Sequence, residues 1–142
     1  MEAHSKIKIN SEEETIAAAE KFAGQLKPGE VIVLNGNLGA GKTFFVRQAL
    51  KCLGIDNVSS PTFAIVNEYT GKFKIYHFDF YRINDPAELF DIGFNDYLND
   101  EDSVTFIEWG NLMPAVLPHR RLEINININS DFTREFVFNK YE

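Results

Sequence analysis

An α/β fold with a mixed central sheet is what this chain of 142 residues predicts, and three observations carry it. The short apolar run "EVIVLNG" passes through a glycine-rich turn into "KTFFVRQALKCLG", the strand–loop–helix unit of a doubly wound sheet. The stretch "PTFAIVNEYTGKFKIYHFDFYR" sets two β-rich runs on either side of Thr70-Gly71, which predicts a hairpin. The stretch "RLEINININ" alternates strictly, as a strand with one face in the core must. Hairpins joined to a parallel βα unit make the sheet mixed.

The elements follow in order. "NSEEETIAAAEKFAGQLKPG" reads as a helix. Ser11 caps it, Glu14 completes an S-x-x-E capping box, and Pro28-Gly29 ends it. Ile16, Ala19, Phe22, Ala23 and Leu26 fall on one face and predict its buried side. After the first βα unit, Gly54 is placed to terminate the second helix. "NDPAELFDIGFNDYL" reads as one or two short helices, with Asp85 before Pro86 as a start signal. "DSVTFIEW" is another buried strand, and "GNLMPAVLPHRR" a loop or short helix between prolines. In the alternating strand Leu122, Ile124, Ile126 and Ile128 face inward, and "REFVFNK" returns as its hairpin partner across "SDFT".

Length predicts one domain with a sizeable core, and 13 phenylalanines supply material for it. No apolar run reaches the ~18 residues of a membrane span. "MEAHSKIKIN" lacks the apolar stretch of a signal peptide, so cytoplasmic residence is the expectation. A single cysteine, Cys52, excludes an internal disulfide and a cysteine-rich metal site, and its helix position predicts a small buried residue. The net charge of −7 argues against a chain that grips a phosphate backbone by itself.

Gly36, Gly41, Lys42 and Thr43 complete the pattern G-x-x-x-x-G-K-[ST], a P-loop. Glycines allow a tight turn whose backbone N–H groups converge on phosphate oxygens. Lys42 can reach the β- and γ-phosphates, Thr43 offers a hydroxyl to Mg²⁺, and the helix N-terminus adds its positive end. Leu38, Gly39, Ala40, Gly41, Lys42, Thr43 and Phe44 are therefore the candidate nucleotide contacts of the loop. The preceding strand and following helix give the motif the context its mechanism needs. The fold expected is a P-loop NTPase-like, three-layer α/β domain over residues 1–142.

A P-loop that holds Mg²⁺ also needs a carboxylate from a neighbouring strand end. Asp79 follows "KIYHF" and Glu108 follows "SVTFI", each at the end of an apolar strand. Spacing leaves open which one meets the metal and which orients the attacking water. The plainer alternative for each is a salt bridge or a helix cap. His77 shares the face of Asp79 and reads as a packed, hydrogen-bonded histidine; no second His or Cys stands at metal-ligand spacing. Arg82 can contact a phosphate or pair with Asp85, and pairing is the expectation. Trp109 can be core or can stack on something bound.

Four segments, "GNLGAGKT" at 36–43, "SPTF" at 60–63, "YHFDFYR" at 76–82 and "IEW" at 107–109, together resemble the TsaE family. "DPAELFDIGFNDYL" at 85–98 fits the same pattern, and the likeness weakens in the first ten and the last ~30 residues. The resemblance implies an ATPase that binds ATP and Mg²⁺ and is slow alone. It implies action beside the TsaB–TsaD protein pair, which modifies tRNA with threonylcarbamoyladenosine, with tRNA reached only through those partners. Carried onto this sequence, Lys42 binds phosphates, Thr43 binds Mg²⁺, and Thr62 sits on a switch-like loop near the γ-phosphate. Asp79 and Glu108 serve metal and water, Trp109 lies near the nucleotide, and Ser11 corresponds loosely to another nucleotide-side residue. Asn37 stands where the family has Asp, and Asn111 where a Glu is usual.

Other classes fit less well. A GTPase needs N-K-x-D and D-x-x-G; "NKYE" at 139–142 ends in Glu, and no D-x-x-G occurs. A small-molecule kinase needs an acceptor pocket and an arginine-bearing lid, and only Arg120-Arg121 cluster. A nucleotide-gated binding module would keep the P-loop and leave Glu108 structural.

Overall fold

The computed structural model describes residues 4–56, 58 and 65–142. Seven strands form one sheet in the order β1-β7-β6-β2-β5-β4-β3. They are β1 (His4–Ile9), β2 (Val31–Asn35), β3 (Val66–Thr70), β4 (Lys74–Asp79), β5 (Ser103–Glu108), β6 (Arg121–Ile128) and β7 (Arg134–Tyr141). The α-helices among the described residues are α1 (Glu12–Gln25), α2 (Lys42–Lys51), α3 (Ala87–Asp91) and α4 (Phe94–Leu98). The middle strands β6, β2, β5 and β4 run parallel, and β7, β1 and β3 join antiparallel at the flanks. The mixed α/β sheet is as the sequence predicts.

Strand β2 is the axis of the molecule. All five of its residues are buried, as expected of a strand covered on both faces. Ile32 and Leu34 point into the core beneath α1 and α2, where Phe22, Phe45 and Phe136 pack. Val31 and Val33 point into the opposite core with Phe78, Ile107, Leu89 and Phe94, which α3 and α4 cover. Rings in both cores meet tilted or edge-on, such as Phe22–Phe45 at 5.4 Å and Phe78–Phe94 at 5.1 Å.

Ser11 caps α1 through Glu14 N–H, which donates to Ser11 Oγ at 3.2 Å. The return contact reaches one residue further back than a strict capping box, with Asn10 N–H donating to Glu14 Oε2 at 2.5 Å. The hairpin at Thr70 closes with Thr70 opposite Lys74, and Gly93 in the left-handed region separates α3 from α4.

Several expectations need correction. The chain opens with a strand, where the sequence reading began with a helix; β1 pairs along β7 as an edge strand, its lysines exposed and only Ile9 buried. Thr15 takes a buried place on α1, while Ile16 is half-buried. Helix α2 stops at Lys51, and Gly54 ends the turn that follows. Cys52 is exposed; it caps α2 in a helical conformation, with its Sγ 3.5 Å from Gln48 O on the solvent side. Ile128 is 47% exposed, because β6 outruns the helical cover near its end.

Candidate functional site

The loop between β2 and α2 is shaped by close approach. A Cβ on Gly36 would stand 2.7 Å from the carbonyl oxygen of Ile126, so only glycine lets the loop pass β6. Gly41 holds φ 107° and opens α2, whose first turn is closed by Phe45 N–H donating to Gly41 O at 2.9 Å. A cleft of about 510 Å³ lies over this helix start. Residues 38–44 form its floor, and Asp79, Glu108 and Trp109 its wall.

Parallel pairing of β4 with β5 puts Asp79 level with Glu108 at the strand ends. Thr43 Oγ1 donates to Glu108 Oε1 at 2.8 Å, and His77 Nε2 lies 2.6 Å from Glu108 Oε2. Asp79 Oδ1 accepts from Tyr81 N–H at 3.0 Å, and Arg82 Nε stands 3.8 Å from Asp79 Oδ2. Arg82 thus pairs with Asp79, where Asp85 was expected; Asp85 instead accepts from Ala87 N–H at 2.9 Å and starts α3. The 3-10 turn Phe80–Arg82 brings the guanidinium back to Asp79, which spacing in an extended chain does not reveal.

Lys42 is buried, and its Nζ donates to Gly36 O at 2.5 Å and Asn37 O at 3.1 Å. Burial pushes its ammonium below the ordinary lysine range, against the pull of Glu108 and Asp79. Burial pushes the Asp79 carboxyl above its ordinary range; Tyr81 N–H draws it back, and Glu108 raises it further.

Trp109 adopts φ 63°, a left-handed conformation that a bulky residue keeps only when its surroundings enforce it. Its N–H donates to Leu34 O at 2.9 Å, and Asn35 Oδ1 accepts from Asn111 N–H at 3.0 Å. A Cβ on Gly110 would stand 2.2 Å from Val33 Cγ1, so the turn after Glu108 lies flat on β2. The indole consequently faces the cleft, beneath Lys42 and 5.0 Å from the Tyr81 ring.

The structure therefore brings Lys42, Thr43, Asp79, Glu108 and Trp109 together with the loop residues Leu38, Gly39, Ala40, Gly41 and Phe44. Ser11 stands at the head of α1 as its cap, while its neighbours Glu12 and Thr15 line the cleft. Thr62 lies outside the described residues. Sequence reasoning missed Glu12, Thr15, Tyr81, Arg134 and Phe136 as cleft residues. Arg134 Nη2 donates to Gly39 O at 3.3 Å across the sheet edge, a contact set by strand order and without any local sequence signal.

Among the described residues no group of three His, Cys, Asp or Glu side chains is placed to hold a metal ion. A hydroxyl and two carboxylates, all oxygen donors beside a P-loop, are nonetheless the ligand chemistry that suits Mg²⁺ with its own waters and a phosphate. A second cleft of about 610 Å³ opens at the other end of the sheet, where its acids Glu30 and Glu101 stand among the cations Lys27, Arg120, Arg121 and Lys140 and away from the glycine-rich loop.

Sheet order, loop and strand-end carboxylates define the class: this is a P-loop NTPase-like α/β fold. A family model described as "Threonylcarbamoyl adenosine biosynthesis protein TsaE" matches residues 9–136. The tRNA threonylcarbamoyladenosine biosynthesis protein TsaE of Rickettsia typhi is 43% identical over 123 residues, 84% of this chain and 84% of that protein. The protein of the same description from Bacillus subtilis is 43% identical over 136 residues, 92% of this chain and 84% of its own. The crystal structure of Bacillus subtilis YdiB superposes with a TM-score of 0.84 at 34% identity, covering 100% of this chain and 88% of that one. The chain belongs to the TsaE family, proteins of tRNA threonylcarbamoyladenosine biosynthesis. No helix among the described residues is long and apolar enough to cross a membrane.

Proposed function

We propose that this chain binds ATP with Mg²⁺ and hydrolyses it, slowly alone, as the cytoplasmic ATPase subunit of tRNA threonylcarbamoyladenosine formation. It acts with the TsaB–TsaD pair and supports their repeated turnover, while tRNA is held by those partners. The observation that carries the reading is the Thr43–Glu108 hydrogen bond of 2.8 Å, which joins the P-loop hydroxyl to a strand-end carboxylate.

Phosphoryl transfer to water asks a protein mainly for positioning and charge stabilisation. Bound Mg²⁺ would neutralise charge on the β- and γ-phosphate oxygens. Thr43 Oγ1 and Glu108 Oε1 are the protein oxygens that would hold it. Lys42 turns from its carbonyl partners to the phosphates. Asp79, fixed by Tyr81 N–H and Arg82, orients the attacking water and accepts its proton. Residues 38–44 bind the phosphate chain, Trp109 shields it from bulk water, and Thr62 acts as the γ-phosphate sensor. The −7 charge suits a subunit whose client is a protein assembly.

Mg²⁺-dependent ATP hydrolysis, measured alone and with the TsaB–TsaD pair, tests this. The expected result is slow basal hydrolysis, stimulated by the pair and abolished in Lys42→Ala. Glu108→Gln should lower kcat by ~100-fold or more while ATP binding persists. A Glu108→Gln protein that still supports its partners fully would point instead to a nucleotide-gated binding module.

A further inference from the structure

One buried polar side chain beside the site has no part in that scheme. His77 is fully buried on β4, facing the same core as Glu108. Its Nε2 lies 2.6 Å from Glu108 Oε2, while Thr43 Oγ1 donates to Oε1 at 2.8 Å. The two oxygens of one carboxylate are thus held by different residues. Among the described residues the Nδ1 of His77 is buried with no hydrogen-bond partner. A buried N–H without an acceptor is costly, so the tautomer that suits these surroundings carries its proton on Nε2. The imidazole is then the donor and the Glu108 carboxylate the acceptor.

We propose that His77 is a positioning residue for Glu108. Its Nε2–H fixes one carboxylate oxygen, and so aims the other at the Thr43 hydroxyl and the place where a divalent cation would sit. Carboxylates that bind metals are commonly oriented by such outer partners. The geometry supports more than simple packing. A core filler at this place needs no polar atom, yet the ring spends one nitrogen on the carboxylate and leaves the other unpaired. The inference rests on the nucleotide reading above and names what sets its metal geometry.

The test compares His77→Gln with His77→Asn. The Gln amide nitrogen reaches as far as Nε2; that of Asn stops near Nδ1. A fluorescent ATP analogue is bound at a series of Mg²⁺ concentrations, and melting curves are recorded for each protein. His77→Asn is expected to raise the Mg²⁺ midpoint by about 10-fold or more, and to lower kcat, with Mg²⁺-free nucleotide affinity unchanged. His77→Gln is expected to restore most of both. Should His77→Asn fail to fold, His77→Leu serves as the variant without a donor. Equal Mg²⁺ midpoints in all folded variants overturn the proposal, as does a His77→Gln protein that melts like wild type yet binds Mg²⁺ as poorly as the Asn variant. Wild-type protein that fails to bind the analogue at any Mg²⁺ concentration would fell the nucleotide reading itself, a result separable from the other two.

Discussion

The ammonium of Lys42 lies 4.0 Å from the centroid of the Trp109 ring, while its protons go to the Gly36 and Asn37 carbonyls. The lysine of the phosphate loop is thus parked on its own backbone and on an aromatic face. Trp109 is the only tryptophan in the chain, so its emission reports this contact. Titration with ATP and Mg²⁺ is expected to change that emission to saturation. Lys42→Ala should weaken ATP binding ~10- to 100-fold, the scale of one charged hydrogen bond, and should alter emission before any nucleotide is added. Emission blind to ATP in wild type would separate Trp109 from the nucleotide site.

Burial of the Asp79 carboxyl carries a cost in stability. A carboxyl raised in the folded state stabilises the fold below its ordinary value of 3.8, and that contribution is lost as pH rises through the folded value. At neutral pH the ionised, buried group is therefore a burden. Asp79→Asn is expected to raise the melting temperature at pH 7 by ~2–4 °C, to gain nothing near pH 3, and to abolish hydrolysis. A lower melting temperature at pH 7 would mean that the contacts with Tyr81 and Arg82 outweigh burial.

Asp100 behaves the opposite way. The Tyr76 hydroxyl donates to its Oδ2 at 2.7 Å, Asp102 N–H to Oδ1 at 3.0 Å, and Lys74 Nζ to Oδ2 at 3.1 Å. These contacts hold its carboxyl below the ordinary range, the Tyr76 hydroxyl most of all. A lowered carboxyl gives stability that is present above 3.8 and is lost as pH falls through the folded value. Asp100→Asn should melt earlier than wild type at pH 7, and the gap should narrow as pH drops below about 4. A gap independent of pH would count against the ionic contribution.

Phe45 anchors α2 behind the phosphate loop, with its ring 5.4 Å from Phe22 and 5.3 Å from Phe136. Phe45→Ala is expected to cost ~3–5 kcal/mol in denaturant unfolding. Phe132 is 88% exposed, and Phe132→Ser should stay within about 0.5 kcal/mol. Comparable losses at the two sites would contradict the core assigned here.

Local signals in the sequence were reliable where one element contains the whole interaction. The Ser11 cap, the Gly41-Lys42-Thr43 loop and the Asp85 helix start each have hydrogen-bond partners within six residues. Asp79 and Glu108 were legible as strand-end carboxylates, and the register places them level. The burial of Ile128 was misread, because periodicity cannot say where helical cover stops, and that of Cys52 because a residue's type does not say which side of its helix meets solvent. The Arg82 partner was misread because a 3-10 turn reverses the side chain onto Asp79.

The sequence by itself determined the glycine-rich G-x-x-x-x-G-K-T loop, the α/β fold and the pair of strand-end acids, Asp79 and Glu108. Those follow from glycine's backbone freedom, from apolar periodicity and from the ends of apolar runs, all properties of short segments. Only the tertiary structure decided that His77 and Thr43 share Glu108, that Arg134 reaches Gly39, and that Trp109 turns beneath Lys42. Each of these joins residues far apart in the chain through strand order and register, which are set by how whole faces pack and so are written in no single stretch of residues.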